Sequence, residues 1–279
     1  MTRTRLAADL RRLGVPPGAV LMVHARMSAL GWVAGGSETT VWALLDTLGP
    51  DGTLVAYAGW EDDTYDLATL PPAWRAAIEA EAAPFRRAVS EAARDHGRLP
   101  ERIRTWPGAL RSRHPEANVV AFGRRAAWLV ADHPWDDPYG PGSPLAKLVE
   151  ANGQVLMLGA PLETLTLLHH AEAMARAEPK RRVVYRMPVE EDGSVVWRTF
   201  HDIDTSEGAF PYETVAEEVI ATPGVLPGED SFAAIAHQAL AAGIGSSGAA
   251  GYGTAHLFPA AELHAFAVAW LETRFGRGT

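Results

Sequence analysis

The sequence predicts an α/β fold, a layered α/β/α sandwich around a central mixed sheet. The first third of the chain alternates strand and helix patterns, which is typical of parallel strands joined by helices. A hairpin pattern at residues 182–200 adds antiparallel strands, which we expect to make the central sheet mixed. Since 279 residues is near the upper limit for one core, we expect a single domain over residues 1–279, with residues 71–117 as a candidate small helical subdomain.

Start and stop residues delimit the elements of the first half. The first helix ends at Gly14, Ser37 is expected to cap the second helix, and Asp51-Gly52 marks a turn. Continuous apolar runs predict buried strands at residues 19–24, 53–57 and 118–122. Helices are predicted at residues 2–13, 39–48, 74–83, 89–96 and 124–131.

Cap and turn residues also delimit the elements of the second half of the chain. Ser143 followed by Pro144 predicts a capped helix that stops near Gly153, and Asp192-Gly193 predicts the hairpin turn. Strands are predicted at residues 154–159, 182–190, 194–200 and 254–258. Helices are predicted at residues 163–176, 212–220, 232–242 and 259–275, with a glycine-rich link at residues 243–253.

Composition and charge exclude several classes of protein. With 47% hydrophobic and 21% charged residues, the bulk of the chain is not disordered. The absence of cysteine excludes disulfides, thiolate nucleophiles and cysteine-ligated zinc. No apolar run reaches the roughly 18 residues of a membrane span. The charges of Asp9 and Arg11 interrupt the segment where a signal peptide would have its apolar core, so we expect a cytoplasmic protein without a membrane partner. A net charge of −9 favours a cationic partner over nucleic acid.

The densest polar cluster is the segment Thr166-Leu-Leu-His-His-Ala-Glu172. His169 and Glu172 are three residues apart and share one helix face, which suits an imidazole base held by a carboxylate. A buried core histidine beside a surface glutamate explains the same spacing. We expect no metal, because His170 faces elsewhere and a lone His-x-x-Glu pair needs further ligands.

Two glycine-rich loops bear on anion binding. The loop after the first strand, residues 24–37, leads into a helix whose amides can hold phosphate oxygens, although an ordinary connection has the same pattern. The segment Gly243-Ile-Gly-Ser-Ser-Gly248 matches a dinucleotide fingerprint but follows a helix pattern, so we expect a flexible link or turn there.

Acidic and aromatic residues are grouped near residues 57–65 and 202–207. Carboxylates beside aromatic faces suit an amine-rich ligand, although two solvated loops would look the same. The basic island that starts at Arg111-Ser112 suits an anionic cofactor or simply decorates a loop.

The segment around His169 resembles the T-x-L-H-x-A-E motif of the aminoglycoside 3-N-acetyltransferases, the antibiotic N-acetyltransferase family that is unrelated to the GNAT fold. Further segments resemble that family in order from about residue 5 to residue 275. They include Leu21-Met-Val-His-Ala25, Gly52-Thr-Leu-Val-Ala-Tyr-Ala-Gly-Trp60, Arg104-Thr-Trp-Pro-Gly108, Ser143-Pro-Leu-Ala-Lys-Leu148, Val155-Leu-Met-Leu-Gly-Ala-Pro161 and Trp270-Leu-Glu-Thr-Arg-Phe275.

The resemblance implies acetyl-CoA-dependent acetylation of the 3-amino group of the 2-deoxystreptamine ring of aminoglycosides, which confers resistance. It assigns His169 as general base and Glu172 as the group that orients it, and the lack of cysteine favours direct transfer in a ternary complex. Residues expected to bind CoA are Arg26, Met27, Ser28, Ala29, Leu30, Gly31, Gly35, Gly36, Ser37, Arg111 and Ser112. Residues expected to bind the cationic aminoglycoside are Tyr57, Trp60, Asp62, Asp63, Tyr65, Glu163, Asp202 and Asp204.

Three other functions remain open at this point. An N-acetyltransferase of the same fold that acts on another amine in biosynthesis is separated by acceptor screening. A metal-dependent hydrolase that uses His169, His170 and Glu172 is separated by chelator sensitivity. A non-catalytic antibiotic- or CoA-binding protein predicts that His169→Ala leaves the phenotype intact.

Overall fold

The computed structural model describes residues 1–276 and confirms the layered α/β fold with a mixed central sheet. The strands in that range are β1 (Val20–Ala25), β2 (Thr53–Tyr57), β3 (Leu110–Arg111), β4 (Val119–Gly123), β5 (Gln154–Leu158), β6 (Arg182–Glu191), β7 (Ser194–Ile203), β8 (Ser246–Ala250) and β9 (Gly253–Pro259). The α-helices are α1 (Arg3–Leu13), α2 (Gly36–Leu48), α3 (Pro72–Glu81), α4 (Arg98–Arg104), α5 (Ala126–Val130), α6 (Pro144–Glu150), α7 (Leu167–Met174), α8 (Ala216–Ala221), α9 (Ser231–Ala241) and α10 (Ala260–Phe275).

Seven strands form the central sheet in the order β3-β4-β2-β1-β5-β9-β8. The strand β1 pairs in parallel with β2 and with β5, whereas β4 pairs antiparallel with β2, and β9 with β5. The carboxyl ends of β1, β2 and β5 therefore meet the amino ends of β4 and β9 at one edge of the sheet. In open α/β sheets, ligands bind at the carboxyl ends of parallel strands.

Side chains of β1 alternate between two helical layers, as the two-residue period of a strand requires. Val20 and Met22 pack in the core that includes α5, α6, α7, α9 and α10. Leu21 and Val23 pack in the core that includes α1, α2 and α4. Because both faces of the sheet are covered, its central strands read as continuous apolar runs.

The predicted hairpin forms, but it does not join the central sheet. The strands β6 and β7 make a separate two-stranded sheet, paired from Arg182 with Ile203 to Glu191 with Ser194. One face of it packs on Trp60 and Phe85 in a third small core. The expectation that the hairpin makes the central sheet mixed is wrong, since β3, β4, β8 and β9 supply the antiparallel pairing there. Turn chemistry specifies which two strands pair with each other, not which sheet they join.

Two local predictions are also corrected. The helix expected at residues 89–96 is only a short 3₁₀ turn, Arg94–His96, because backbone groups of this segment bond to residues 58–61 instead. Ser37 lies inside the first turn of α2 and does not cap it. Gly35 takes the N-cap position with φ +84°, a conformation that glycine adopts without strain.

The glycine-rich segment after α9 is more ordered than expected, because residues 246–250 form β8, an edge strand paired with β9. Gly251 and Gly253 then pack so closely on the loop after β1 that added Cβ atoms would lie 2.8 Å from the carbonyl oxygen of Leu30 and 2.7 Å from that of Ala29. The cap of α6 is confirmed, since Ser143 Oγ accepts a hydrogen bond from the Ala146 amide at 3.0 Å. No helix within residues 1–276 is both long and apolar enough to span a membrane.

Candidate active site

A cavity of about 720 Å³ opens at the edge of the sheet where the parallel strands end. The cavity is lined by residues at the end of β1, by Tyr57 at the end of β2, and by the turn that follows β5. His169 on α7 and Glu116, just before β4, complete it. The antiparallel direction of β4 matters here, because it brings the residues before β4 to the edge where β2 ends.

His169 and Glu172 form a hydrogen-bonded pair on α7. His169 Nδ1 lies 2.7 Å from Glu172 Oε2, and the histidine side chain is 21% exposed while the glutamate is 1% exposed. A carboxylate can only accept, so Nδ1 carries the proton and Nε2 is left with a free lone pair. The pair can therefore take a proton from a group bound in the cavity.

The ring of His169 is held on two sides as well. It packs between Tyr139, with ring centroids 5.2 Å apart, and Phe232, at 4.9 Å. The second oxygen of Glu172, Oε1, accepts a hydrogen bond from the Tyr212 hydroxyl at 2.6 Å. Tyr212 was not predicted as a site residue, and it lies 40 residues from its partner.

His170 faces away from His169, as the helical spacing predicts. Its Nδ1 donates to the carbonyl oxygen of Tyr139 at 2.7 Å, and its ring stacks on His264. Burial lowers the pKa of His170 to about 4, so this ring stays neutral. Within residues 1–276, no three histidine, aspartate or glutamate side chains are grouped as metal ligands.

A second cavity of about 350 Å³ lies on the other side of His169 and Glu172. Carboxylates of Glu163, Glu207 and Asp230 line it, and Glu163 lines the larger cavity as well. His169 thus lines two cavities, and the smaller one is also lined by three carboxylates and by Tyr212.

The structure brings only part of the predicted CoA loop to the larger cavity. Arg26, Met27 and Ser28 line it, at the start of a 3₁₀ turn that ends with Leu30 in the hydrophobic core. The rest of the predicted loop, Ala29, Gly31, Gly35, Gly36 and Ser37, lies outside the cavity lining.

Arg111 and Ser112 lie away from this cavity. Arg111 is buried, and its guanidinium donates to Asn118 Oδ1 and to two backbone carbonyls, while burial lowers its pKa to about 9. Ser112 Oγ accepts from the Val119 amide and bonds to His133. These contacts hold loops against β4, so the structure gives neither residue access to a ligand in the large cavity.

The acidic wall of the cavity is centred on Glu116, which the sequence reading did not single out. Its carboxylate accepts from the Tyr57 hydroxyl at 3.2 Å, and that hydroxyl also bonds to Tyr139 at 2.8 Å. Burial and the nearby charge of Asp63 raise the pKa of Glu116 to about 7. Burial and the charge of Glu116 raise the pKa of Asp202 to about 8.

The other predicted aminoglycoside residues divide into three groups. Trp60 is buried against Phe85, and Tyr65 stacks on Tyr185, so both support the hairpin. Asp204 bonds to the backbone amides of residues 206 and 207. The remaining acids, Asp62, Asp63 and Asp202, do not line either cavity. Asp62 and Asp63 are exposed, and Asp63 accepts a hydrogen bond from the Tyr65 amide, whereas Asp202 is buried.

Two further histidines in the cavity were not predicted. His24 on β1 has a buried Nε2 without a partner among the described residues, and burial together with His96 and His169 lowers its pKa to about 3. His96 packs on Tyr57 with ring centroids 4.8 Å apart, and burial lowers its pKa too. Burial therefore disfavours a positive charge on both rings.

Comparison with known proteins gives a match over most of the chain. It matches the model of the aminoglycoside 3-N-acetyltransferase family over residues 22–272. It is similar to aminoglycoside N(3)-acetyltransferase VIII of Streptomyces fradiae, with 53% identity over 277 residues that cover 99% of this chain and 93% of the relative.

Solved structures give the same result. The fold is similar to that of AAC-IIIb in a binary complex with CoASH, with a TM-score of 0.87 and 46% identity over 100% of this chain and 99% of that chain. It is also similar to AAC-VIa bound to sisomicin, with a TM-score of 0.88 and 37% identity over 99% of this chain and 98% of that chain. Both similarities extend over the whole α/β/α sandwich.

Proposed function

This chain belongs to the aminoglycoside 3-N-acetyltransferase family, and on that premise we propose that it transfers the acetyl group of acetyl-CoA to the 3-amino group of the 2-deoxystreptamine ring of an aminoglycoside. The acetylated antibiotic would no longer act, so the reaction confers resistance. The proposed location is the cytoplasm. The observation that carries the proposed chemistry is the His169–Glu172 pair, 2.7 Å apart at the wall of the large cavity.

In the proposed step His169 acts as general base. Its Nε2 takes the proton of the amine as the nitrogen attacks the carbonyl carbon of the thioester, so a C–N bond forms while the C–S bond breaks. The leaving CoA sulfur then takes the proton back from the imidazolium. A positioned imidazole contributes roughly 10²–10⁴-fold by such proton transfer. Glu172 holds the proton on Nδ1 and stabilises the imidazolium charge.

The two substrates are assigned to different walls. We place CoA along Arg26, Met27 and Ser28, the part of the predicted loop that lines the large cavity. We place the polycationic acceptor against Glu116 and Glu163, which line the large cavity and make no salt bridge within residues 1–276. Asp202 is buried beside this wall and adds its charge near Glu116 without lining the cavity. The CoASH complex of AAC-IIIb and the sisomicin complex of AAC-VIa support one site for each substrate in a protein of this fold.

The test is acetyl-CoA turnover with a panel of aminoglycosides, measured as the release of the free CoA thiol. Wild type is compared with His169→Ala, and His256→Ala serves as a matched control, since His256 bonds to Ser247 and lines neither cavity. We expect turnover in wild type and control, with a loss of roughly 10²–10⁴-fold in His169→Ala. Full activity of His169→Ala would overturn the assignment of the base.

Initial rates with both substrates varied test the ternary complex. Intersecting double-reciprocal lines are expected for direct transfer, and parallel lines would point to a covalent acyl-enzyme instead. A wild-type protein that binds CoA but acetylates no aminoglycoside would contradict the proposed acceptor and favour another amine.

A further inference from the structure

Glu172 has a second hydrogen-bond partner that the proposed reaction does not use. We infer that Tyr212 is a positioning residue for the acetyl transfer, whose hydroxyl holds the Glu172 carboxylate in the orientation that serves His169. This inference rests on the proposed function, since it presumes that His169 is the base. No comparison and no sequence motif described above assigns a role to this tyrosine.

The geometry is a continuous chain of three side chains. The Tyr212 hydroxyl donates to Glu172 Oε1 at 2.6 Å, and Glu172 Oε2 accepts from His169 Nδ1 at 2.7 Å. Glu172 is 1% exposed, so little of its carboxylate is in contact with water while the two donors are in place, and both Glu172 and Tyr212 line the small cavity. Among residues 1–276 these are the side-chain hydrogen bonds that the carboxylate accepts, so each oxygen has one donor.

Tyr212 is held independently of α7. It begins a short 3₁₀ turn after Pro211, and its ring packs edge-on against Phe275 of α10, with centroids 5.6 Å apart. Phe275 in turn stacks on Phe210 at 5.1 Å, and both of these rings are buried. The hydroxyl is thus fixed by packing against another element, whereas a glutamate held by one bond at its end would keep several rotamers.

The phenol is a dependable donor. Burial and the adjoining Glu172 carboxylate raise the pKa of Tyr212, so the hydroxyl keeps its proton across the working range. A hydrogen bond to a charged, buried acceptor is among the stronger ones in proteins. Its removal leaves Oε1 buried without a partner, and the carboxylate then rotates or takes up a proton, either of which weakens its hold on Nδ1.

The other charged groups near the pair do not substitute for Tyr212. The ammonium of Lys180 donates to the carbonyl oxygens of Ala173 and Ala175 at the end of α7. Asp230, which caps α9, lines the small cavity together with Glu163 and Glu207, and all three are acceptors. Because a Tyr212 variant leaves Lys180 and these three acids in place, a change in its pH profile reports on the Glu172–His169 pair.

The first test is Tyr212→Phe, which removes one oxygen and keeps the ring. We expect kcat to fall roughly 10- to 100-fold, with the KM for each substrate within about twofold. The acidic limb of the kcat profile should move to lower pH, because a carboxylate that has rotated or taken up a proton stabilises the protonated imidazole less. Tyr185→Phe is the matched control, because its buried hydroxyl has no partner among the described residues. A folded Tyr212→Phe with unchanged kcat and pH profile would overturn the inference.

A double-mutant cycle separates positioning from general stability. In a Glu172→Gln background, Tyr212→Phe should change kcat by less than about twofold, because the carboxylate it positions is already gone. If the second change lowered kcat by the same factor in both backgrounds, Tyr212 would be structural only. The double-mutant cycle distinguishes a positioning role from a structural one even if Tyr212→Phe lowers the unfolding temperature.

A second variant displaces the tyrosine without removing its hydroxyl. Gly208 has φ +85°, and a Cβ there would lie 2.9 Å from Tyr212 Cδ2. We expect Gly208→Ala to lower kcat in the same direction as Tyr212→Phe, with no further loss in the combined variant. An inactive wild type or a fully active His169→Ala defeats the proposed function itself, whereas an inactive His169→Ala beside a normal Tyr212→Phe defeats only this inference.

Discussion

His169, paired with Glu172, and the wall around Glu116 line the same cavity, but their buried carboxylates have different partners. Glu172 is enclosed by two donors, His169 and Tyr212, so its charge is satisfied inside the protein. Glu116 receives the Tyr57 hydroxyl, has the charge of Asp202 nearby, and makes no ion pair within residues 1–276. The charge of Glu172 is therefore balanced by donors inside the protein, whereas Glu116 has no cationic partner among the described residues.

In the proposed reaction this difference corresponds to two tasks, proton transfer and capture of the substrate. A base must have its tautomer fixed before the substrate arrives, which demands internal partners. A wall that captures a polycation must lack an internal cationic partner. Without one, burial and neighbouring carboxylates raise the pKa of Glu116 to about 7 and that of Asp202 to about 8. A change in the first region should therefore affect kcat, and a change in the second should affect KM and stability.

The largest effect is expected from Glu172→Gln. The amide would donate to Nδ1 and favour the tautomer in which Nε2 carries the proton, so the ring would no longer accept one from the amine. We expect kcat to fall roughly 10³- to 10⁴-fold, with a nearly unchanged KM for the aminoglycoside. Steady-state rates at saturating acetyl-CoA measure this. A change in KM with kcat intact would erase the proposed division between the two regions.

A smaller effect is expected from Glu116→Gln. Loss of one unpaired carboxylate should raise the aminoglycoside KM about tenfold, while kcat stays within about twofold. Wild-type affinity should strengthen between pH 6 and pH 8, as Glu116 and Asp202 ionise near pH 7 and pH 8, and the variant should show a shallower rise. Calorimetric titrations at several pH values and salt concentrations measure this, with the exposed Glu217→Gln as control.

An affinity that changes with pH in the same way in Glu116→Gln and wild type would contradict the role of Glu116 in capture. Affinity that does not depend on ionic strength would also count against the acidic wall as the capture surface, since exposed charge pairs are screened by salt.

The smallest effect concerns stability of the ligand-free protein. Because the folded pKa of Glu116, about 7, exceeds the ordinary value of 4.5, the unfolded chain loses this proton first as pH rises. Stability is therefore lost between about pH 4.5 and pH 7, and a glutamine avoids the loss. As the side chain keeps some contact with solvent in the cavity, we expect Glu116→Gln to be more stable by about 1 kcal/mol at pH 8 and unchanged at pH 4. Thermal unfolding at the two pH values tests it, and equal shifts at both would refute the electrostatic cause.

Local patterns in the sequence were enough to place His169 and Glu172 side by side as the proposed catalytic pair. His169 and Glu172 lie three residues apart on α7, and a helix places such residues side by side whatever surrounds it. The capped start of α6 and the buried strand β2 were predictable for the same reason, since each depends on residues adjacent in the chain. The same dependence explains the errors: Ser37 and residues 89–96 have suitable local patterns, but Gly35 and backbone bonds to residues 58–61 decided their structure.

The sequence by itself therefore determined the α/β class, most helices and strands, and the pairing of His169 with Glu172. Tertiary structure alone decided what surrounds them. Glu116 reaches the cavity because β4 runs antiparallel to β2, and Tyr212 reaches Glu172 because Phe210 and Phe275 hold it there. Helix and strand periodicities describe neighbours within a few residues, whereas strand pairing and ring packing join residues 40 or more apart.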